Sequence, residues 1–316
     1  NEKIYENVSF GDFQSFLDMI EKLISDITNH FSIDTYKKKL YLTNKNDYNI
    51  IKHLLNLYIL FEQMDTAEIE KQLNINYELV ISNIKEQFGV DINDKIKKYR
   101  YSNLDERYDV LLASIYDKNL KLPQELKIIT YNYDNQLEIA SGYYNNYKTI
   151  YSQFFTLSNK DNPEINIVKL NGYATFDQVN ETGKIDHTKN IEVNFNKEKI
   201  LNQISKLFRV YNDQLEEVTN ISFAWDESNY STEAINKARE IILNSRNIVI
   251  VGYSFPEFNR KIDETILRVL QNNVKIYIQT EEASYNLIQN RLKQRSPNIN
   301  LSNIINVNYI DQFFIP

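Results

Sequence analysis

Apolar residues in the first third of the chain recur at intervals of three and four, the spacing that gathers side chains on one face of an α-helix. Phe13, Phe16, Leu17, Ile20, Ile24 and Ile27 form one such stripe, with Asp12 placed to cap it. Ile50, Ile51, Leu54, Leu55 and Tyr58 form a second. Ile69, Leu73, Val80, Ile84 and Phe88 form a third, and Gly89 reads as its C-terminal stop. A fourth runs from Leu104 to Tyr116. Residues 12–117 are therefore expected to be almost wholly helical. Each stripe needs a partner surface, so this part should pack as a subdomain against whatever follows.

The texture changes at Pro123. Short apolar runs now alternate with helical patterns. Strands are expected over Leu126–Thr130, Ile165–Leu170, Asn247–Val251, Val274–Ile278 and near Ile304–Val307. Helices are expected from Asn135, over Lys197–Tyr211, over Thr232–Asn244 with Ser231 or Thr232 as cap, near Arg260–Gln271, and from Glu281 to about Gln294. The stretch 176–195 is polar and irregular. Asn247–Val251 is a continuous β-branched run, as in parallel strands buried on both faces. Alternating strand and helix predicts an α/β protein with a doubly wound parallel sheet. The division is residues 1–120 as a mainly helical subdomain and 121–316 as the α/β domain.

Composition narrows the possibilities. Of 316 residues, 42% are hydrophobic and 25% charged, an ordinary globular balance. The net charge of −7 argues against a general nucleic-acid surface, since release of phosphate counterions needs a basic face. With no cysteine, disulfides and thiolate metal sites are excluded, which fits a reducing, cytoplasmic setting. No metal cofactor is expected, because the three histidines, His30, His53 and His187, are scattered. No apolar run approaches the roughly 18 residues that a membrane span requires. The chain opens on Asn1 rather than Met, so an upstream segment is expected.

Ligands of such sheets bind beyond the carboxyl ends of the strands, and three polar clusters stand there. They are Thr130, Tyr131, Asn132, Tyr133 and Asp134 after "LKII"; Asn171 and Gly172 after "INIVKL"; and Gly252, Tyr253, Ser254, Phe255 and Pro256 after "NIVIV". Small, amide, hydroxyl and carboxylate groups in this position suit a sugar–phosphate ligand. Gly252 would let the backbone approach it, Ser254 could donate to an oxygen, and Asn132 offers donor and acceptor together. Taken singly, Asn132 and Asp134 could equally cap the next helix, and Gly252 could serve an ordinary turn. Jointly they favour one site, with Asn132, Asn171 and Ser254 lining it.

"ITYNYDNQLE" at 129–138 resembles the "TTNYDxxLE" element of SIR2-like domains. "IVKLNGYATF" at 167–176 is similar to their "xKLHGxxxx" element, and "IVIVGYSFPEFNRKID" at 248–263 to their "GYSxxxxxxxxD" element. Order and spacing agree over about residues 126–310. The resemblance implies a Rossmann-like fold with a helical insertion, and the chemistry of bacterial NAD-consuming defence proteins. It implies that Asn132 holds the nicotinamide-side ribose and that Asp134 lies near the carboxamide. Thr130, Gly252, Tyr253 and Ser254 would line the cofactor, with Gln279 and Thr280 approaching the adenosine half. The implied ligand is NAD or a related nucleotide, bound without metal. The implied partners are further copies of the chain and a second defence protein, with neither nucleic acid nor membrane.

Two departures from the family stand out. Its opening "GAGxS" loop is missing from a chain with six glycines; either it lies upstream of Asn1 or it is absent. Asn171 occupies the position where most active members carry a catalytic His, and an amide cannot take the proton that an imidazole takes. It marks either a natural branch or an inactivating substitution. Two functions follow: an NAD glycohydrolase-type anti-phage effector, or a catalytically degenerate nucleotide sensor or scaffold. Deacetylation fits poorly without a cysteine zinc module.

Overall fold

The computed structural model describes residues 10–30, 32–63, 105–142, 144, 152–155, 161–175, 197–213, 219–226 and 228–316. The chain divides into two compact units, Asn1–Asn103 with Ala174–Ile221, and Leu104–Tyr173 with Ser222–Pro316.

The described part of the first unit is helical: α1 (Phe10–Thr28), α2 (Ile33–Thr43), α3 (Lys45–Glu62) and α6 (Lys197–Asp213). Helix α1 begins at Phe10, so Asp12 lies inside its first turn and is not its cap. Helix α2 was not foreseen. Its apolar stripe is thin, and Ser32 starts it by accepting from the Thr35 N–H. Asn44 closes α2 and caps α3 by accepting from the Asp47 N–H. Phe16 packs against Phe208 and Tyr211 of α6 at 5.3 and 5.5 Å between ring centres. The buried Asn56 side chain donates to the Thr175 carbonyl and accepts from its N–H, both at 3.0 Å. The third stripe, 69–88, lies outside the described residues, as does the stretch 176–195.

The second unit holds every strand among the described residues. In order it comprises α4 (Glu106–Ile115), β1 (Ile128–Thr130), α5 (Gln136–Gly142), β2 (Ile167–Lys169), α7 (Asn229–Asn244), β3 (Asn247–Val251), α8 (Arg260–Leu267), β4 (Lys275–Gln279), α9 (Glu282–Arg295) and β5 (Ile304–Val307). Pairing is parallel throughout, in two small sheets: β1 with β2, in register Ile128 to Ile167, and β3–β4–β5, with Ile248 opposite Ile276 and Ile276 opposite Ile304. The mixed helix-and-strand expectation holds, but the hydrogen-bonded sheet is in two pieces. Helix α7 starts after Ser228, which makes a reciprocal capping box with Ser231. The cap is thus three residues before Ser231 and four before Thr232, the two positions that the apolar stripe indicated.

Successive strand residues point to opposite faces, and this alternation sorts the core. Ile128 and Ile167 face α4 and α5, beside Leu112 and Leu137. Ile129 and Val168 face α7 and α8, beside Ala234, Ala238 and Ile262. Ile276, Ile278 and Ile304 face Ile288 and Leu292 of α9. Helix α8 reaches both of the last two clusters, through Ile262 and Ile266 in one and Leu267 in the other, and Ile248 of β3 also touches both. Each fully buried Ile or Leu contributes about 1.5–3 kcal/mol. No helix among the described residues is long and apolar enough to cross a membrane.

Candidate functional site

The first polar cluster leaves β1 at Thr130, whose hydroxyl oxygen accepts from the Asn132 N–H at 3.0 Å. That bond turns the chain outward and leaves Asn132 exposed. The Asn132 side chain hydrogen-bonds the Tyr108 hydroxyl of α4, and burial pushes that phenol's pKa up. Asp134 Oδ1 accepts from the Gln136 N–H at 3.2 Å and so caps α5, the alternative role open to it from sequence.

Beneath this loop sits a buried ion pair. Lys169 Nζ lies 2.5 Å from Glu138 Oε1, with side-chain exposures of 3% and 1%. The same ammonium donates to the Asp134 carbonyl at 2.6 Å and to Asn135 Oδ1 at 3.3 Å. Burial raises the Glu138 carboxyl, and the Lys169 charge counters it. One cation therefore holds the 132–135 loop, the start of α5 and the end of β2 together.

The second cluster is tied to the first. Asn171 is buried, and its Nδ2 donates to the Tyr131 carbonyl at 2.9 Å. Its own carbonyl accepts from the Ser222 N–H at 2.8 Å. Gly172 has φ +72°, a conformation that suits glycine.

The third cluster closes the group. The rings of Tyr131 and Tyr253 stack at 4.4 Å and 7°. Both hydroxyls donate to Asp263 Oδ1 of α8, at 2.6 and 2.7 Å. Burial pushes the Asp263 carboxyl up to about 6, against those phenols and Arg295, which lower it. Asn259 donates to the Tyr253 hydroxyl at 3.1 Å. Gly252 has φ +60° with open space where a Cβ would stand, so glycine serves the turn here. Phe255 has φ +53°, costing about 1–2 kcal/mol for a non-glycine residue. Its side chain is buried, and the adjoining carbonyl of Ser254 accepts from Arg291 at 2.7 Å, which fixes the turn. Ser254 itself is exposed.

Gln279 is differently engaged. Its Nε2 donates to the carbonyls of Tyr309 and Gln312 at 2.8 and 2.5 Å, and its Oε1 accepts from the Phe314 N–H at 3.0 Å. The Thr280 N–H donates to the Val307 carbonyl at 3.2 Å. Segment 308–316 thus lies over the carboxyl end of β4. Phe313 meets Tyr108 at 5.0 Å, and Arg107 bonds the Ile310 carbonyl at 3.1 Å.

The strand ends of β1, β2 and β3 accordingly meet at Tyr131, through its carbonyl, its ring and its hydroxyl. Neutral amides and hydroxyls dominate the exposed surface there, with a carboxylate held protonatable below it. Sequence reading missed Tyr108, Glu138, Lys169, Asp263 and the turn at 222–226. Glu138, Lys169 and Asp263 stood inside the quoted motifs; Tyr108 and the turn carried no local signal. Of the histidines, His53 is buried in α3 and His30 Nδ1 bonds the Asp26 carbonyl at 2.7 Å, while His187 lies outside the described residues. Among the described residues no group of three or more metal-ligating side chains occurs. Compared with family models, curated proteins and solved structures, the chain matches none.

Proposed function

We propose that this chain is a SIR2-like NAD-binding protein acting as an NAD glycohydrolase of the cytoplasmic, oligomeric anti-phage kind. In this reading the two parallel sheets are halves of one doubly wound, Rossmann-like sheet, with the ligand across the ends of β1, β2 and β3. The observation that carries it is the meeting of the three motifs at Tyr131: the Asn171 amide on its carbonyl and the Tyr253 ring on its own. A ligand lying across the ends of three parallel strands needs their polar clusters side by side, and these contacts place them so.

The reaction would add water at the ribose carbon bonded to nicotinamide. The glycosidic bond breaks with its electrons going to the ring, so that nicotinamide, ADP-ribose and a proton result. Asn132 would orient the ribose and the water, and Asp134 would offset the developing positive charge. Misplacing reacting groups by about 1 Å costs on the order of 100-fold.

One observation favours a second reading, a nucleotide sensor. Asn171 stands where the family's His would act, and its amide is already committed to a backbone carbonyl. The test is nicotinamide release from NAD by the parent, Asn132→Ala and Asn171→His, alongside calorimetric binding of NAD. Hydrolysis predicts a loss of about 100-fold in Asn132→Ala and a gain approaching 100-fold in Asn171→His. NAD binding without turnover in any of the three selects the sensor. Unchanged turnover in Asn132→Ala refutes the site.

A further inference from the structure

Segment 308–316 forms neither helix nor strand, yet it is gripped at two separate places. At the carboxyl end of β4, the buried Gln279 side chain donates to the Tyr309 and Gln312 carbonyls and accepts from the Phe314 N–H. The Phe314 ring lies 4.9 Å from that of Tyr277, on the same strand. At α4, Arg107 donates to the Ile310 carbonyl, and the Phe313 ring meets the Arg107 guanidinium at 5.1 Å and the Tyr108 ring at 5.0 Å. The Tyr108 hydroxyl in turn bonds the Asn132 side chain of the first cluster. The segment therefore runs from the end of β4 to the residue that holds Asn132. Tyr309, Ile310 and Ile315 stand exposed, so the grip rests on hydrogen bonds from side chain to backbone and on ring contacts rather than on a buried apolar face. Parts of a fold with few buried apolar contacts open at a lower free energy than the core sheet.

We infer that segment 308–316 is an autoinhibitory strap, which occupies the strand-end crevice in the resting protein and must be displaced by a dinucleotide. The inference rests on the NAD reading and adds the regulation of that site. Ligands of open parallel sheets lie beyond the carboxyl ends of the strands, and at β4 the strap backbone already fills that place. The Gln279 amide has two donor hydrogens and an acceptor oxygen, a set that suits nucleotide hydroxyls and ring nitrogens. The strap's carbonyls and N–H take up that set instead. A ligand whose adenosine half reaches Gln279 and whose far ribose reaches Asn132 meets the strap at both of its anchors. The apparent affinity is then the intrinsic affinity reduced by the fraction of molecules with the strap open. Loosening either anchor raises it, and fixing the strap lowers it.

The chain has no cysteine, so two introduced thiols can be joined without competing reactions. In the full chain, Arg107→Cys with Ile310→Cys is bridged by a bis-maleimide whose spacer contains a disulfide. The bridge fixes the strap to α4, and a reductant frees it in the same sample. The probe is carba-NAD, which resists hydrolysis, and binding is read by calorimetry. The bridged protein should bind carba-NAD at least about 10-fold more weakly than the same protein after reduction, with amide exchange in β3 and β4 equal in both. Phe313→Ala with Phe314→Ala loosens the strap and touches no residue assigned to the ligand. That variant should bind carba-NAD about 3-fold to 10-fold more tightly than the parent, with faster amide exchange confined to the strap. Equal affinity in the bridged, reduced and loosened proteins overturns the inference and leaves the NAD reading standing. Failure of both the reduced and the loosened protein to bind carba-NAD overturns both.

Discussion

Replacing Lys169 with methionine should be the most damaging single change near the site, and its size follows from burial. Exposed ion pairs contribute about 0–1 kcal/mol, but this pair is 3% and 1% exposed and belongs to the other regime. Removing one partner of a buried pair leaves an uncompensated charge and costs about 3–5 kcal/mol. Lys169→Met also strips the donor from the Asp134 carbonyl. For a unit of this size the melting temperature should fall by on the order of 10 °C. Glu138→Gln should cost less, about 1.5–3 kcal/mol, because Lys169 keeps two other acceptors. Lys169→Met with Glu138→Leu should recover about 2 kcal/mol over Lys169→Met alone, since no buried charge is left. The single variant should also be pH-dependent. Burial raises Glu138, and only Lys169 opposes that strongly. A carboxyl raised in the folded state stabilises while protonated and loses that contribution as pH rises. The Lys169→Met deficit should therefore shrink as pH falls from 8 towards 5.5. Urea denaturation of the four proteins across that range is the assay. A deficit that is flat with pH, or a double variant less stable than Lys169→Met, would refute the reasoning.

Three further outcomes are expected. Asp263 is raised from 3.8 to about 6 in the folded protein, so its protonated form stabilises below about pH 4 and the contribution is lost as pH climbs through 6; Asp263→Asn should gain up to about 3 kcal/mol on the parent between pH 4 and 7, read by denaturant midpoints. Gln279→Ala removes three hydrogen bonds to segment 308–316, and amide exchange there should quicken at least tenfold while β3 and β4 stay protected. Asn56→Ala leaves both Thr175 backbone groups without their partner and should cost about 2–4 kcal/mol by thermal unfolding, with Asn56→Asp recovering only the acceptor half.

Much of the local structure was legible in the chain itself, because hydrophobic periodicity and caps are local. The run Asn247–Val251 could only be a strand, and the stripes at 13–27 and 50–58 only helices, whatever lay elsewhere. The clusters after β1, β2 and β3 were equally visible, since a parallel strand of three to five residues must end in a turn that exposes polar groups. Boundaries were less so. Helix α2 has too few apolar positions for a stripe, and the start of α7 depends on a capping box three residues upstream of the visible pattern. What only the tertiary structure decided is which groups are already engaged. Gln279 holds a passing backbone segment and the Asn171 amide bonds Tyr131, each across a separation that periodicity does not encode, whereas the Asp134 cap is local and only the choice between its two possible roles waited on the fold. Lys169 and Glu138 lie 31 residues apart and read as surface charges until the fold removes water from between them. Hydrogen-bond partners and desolvation depend on distance in space, and a one-dimensional pattern reports only the segments where sequence neighbours are spatial neighbours too.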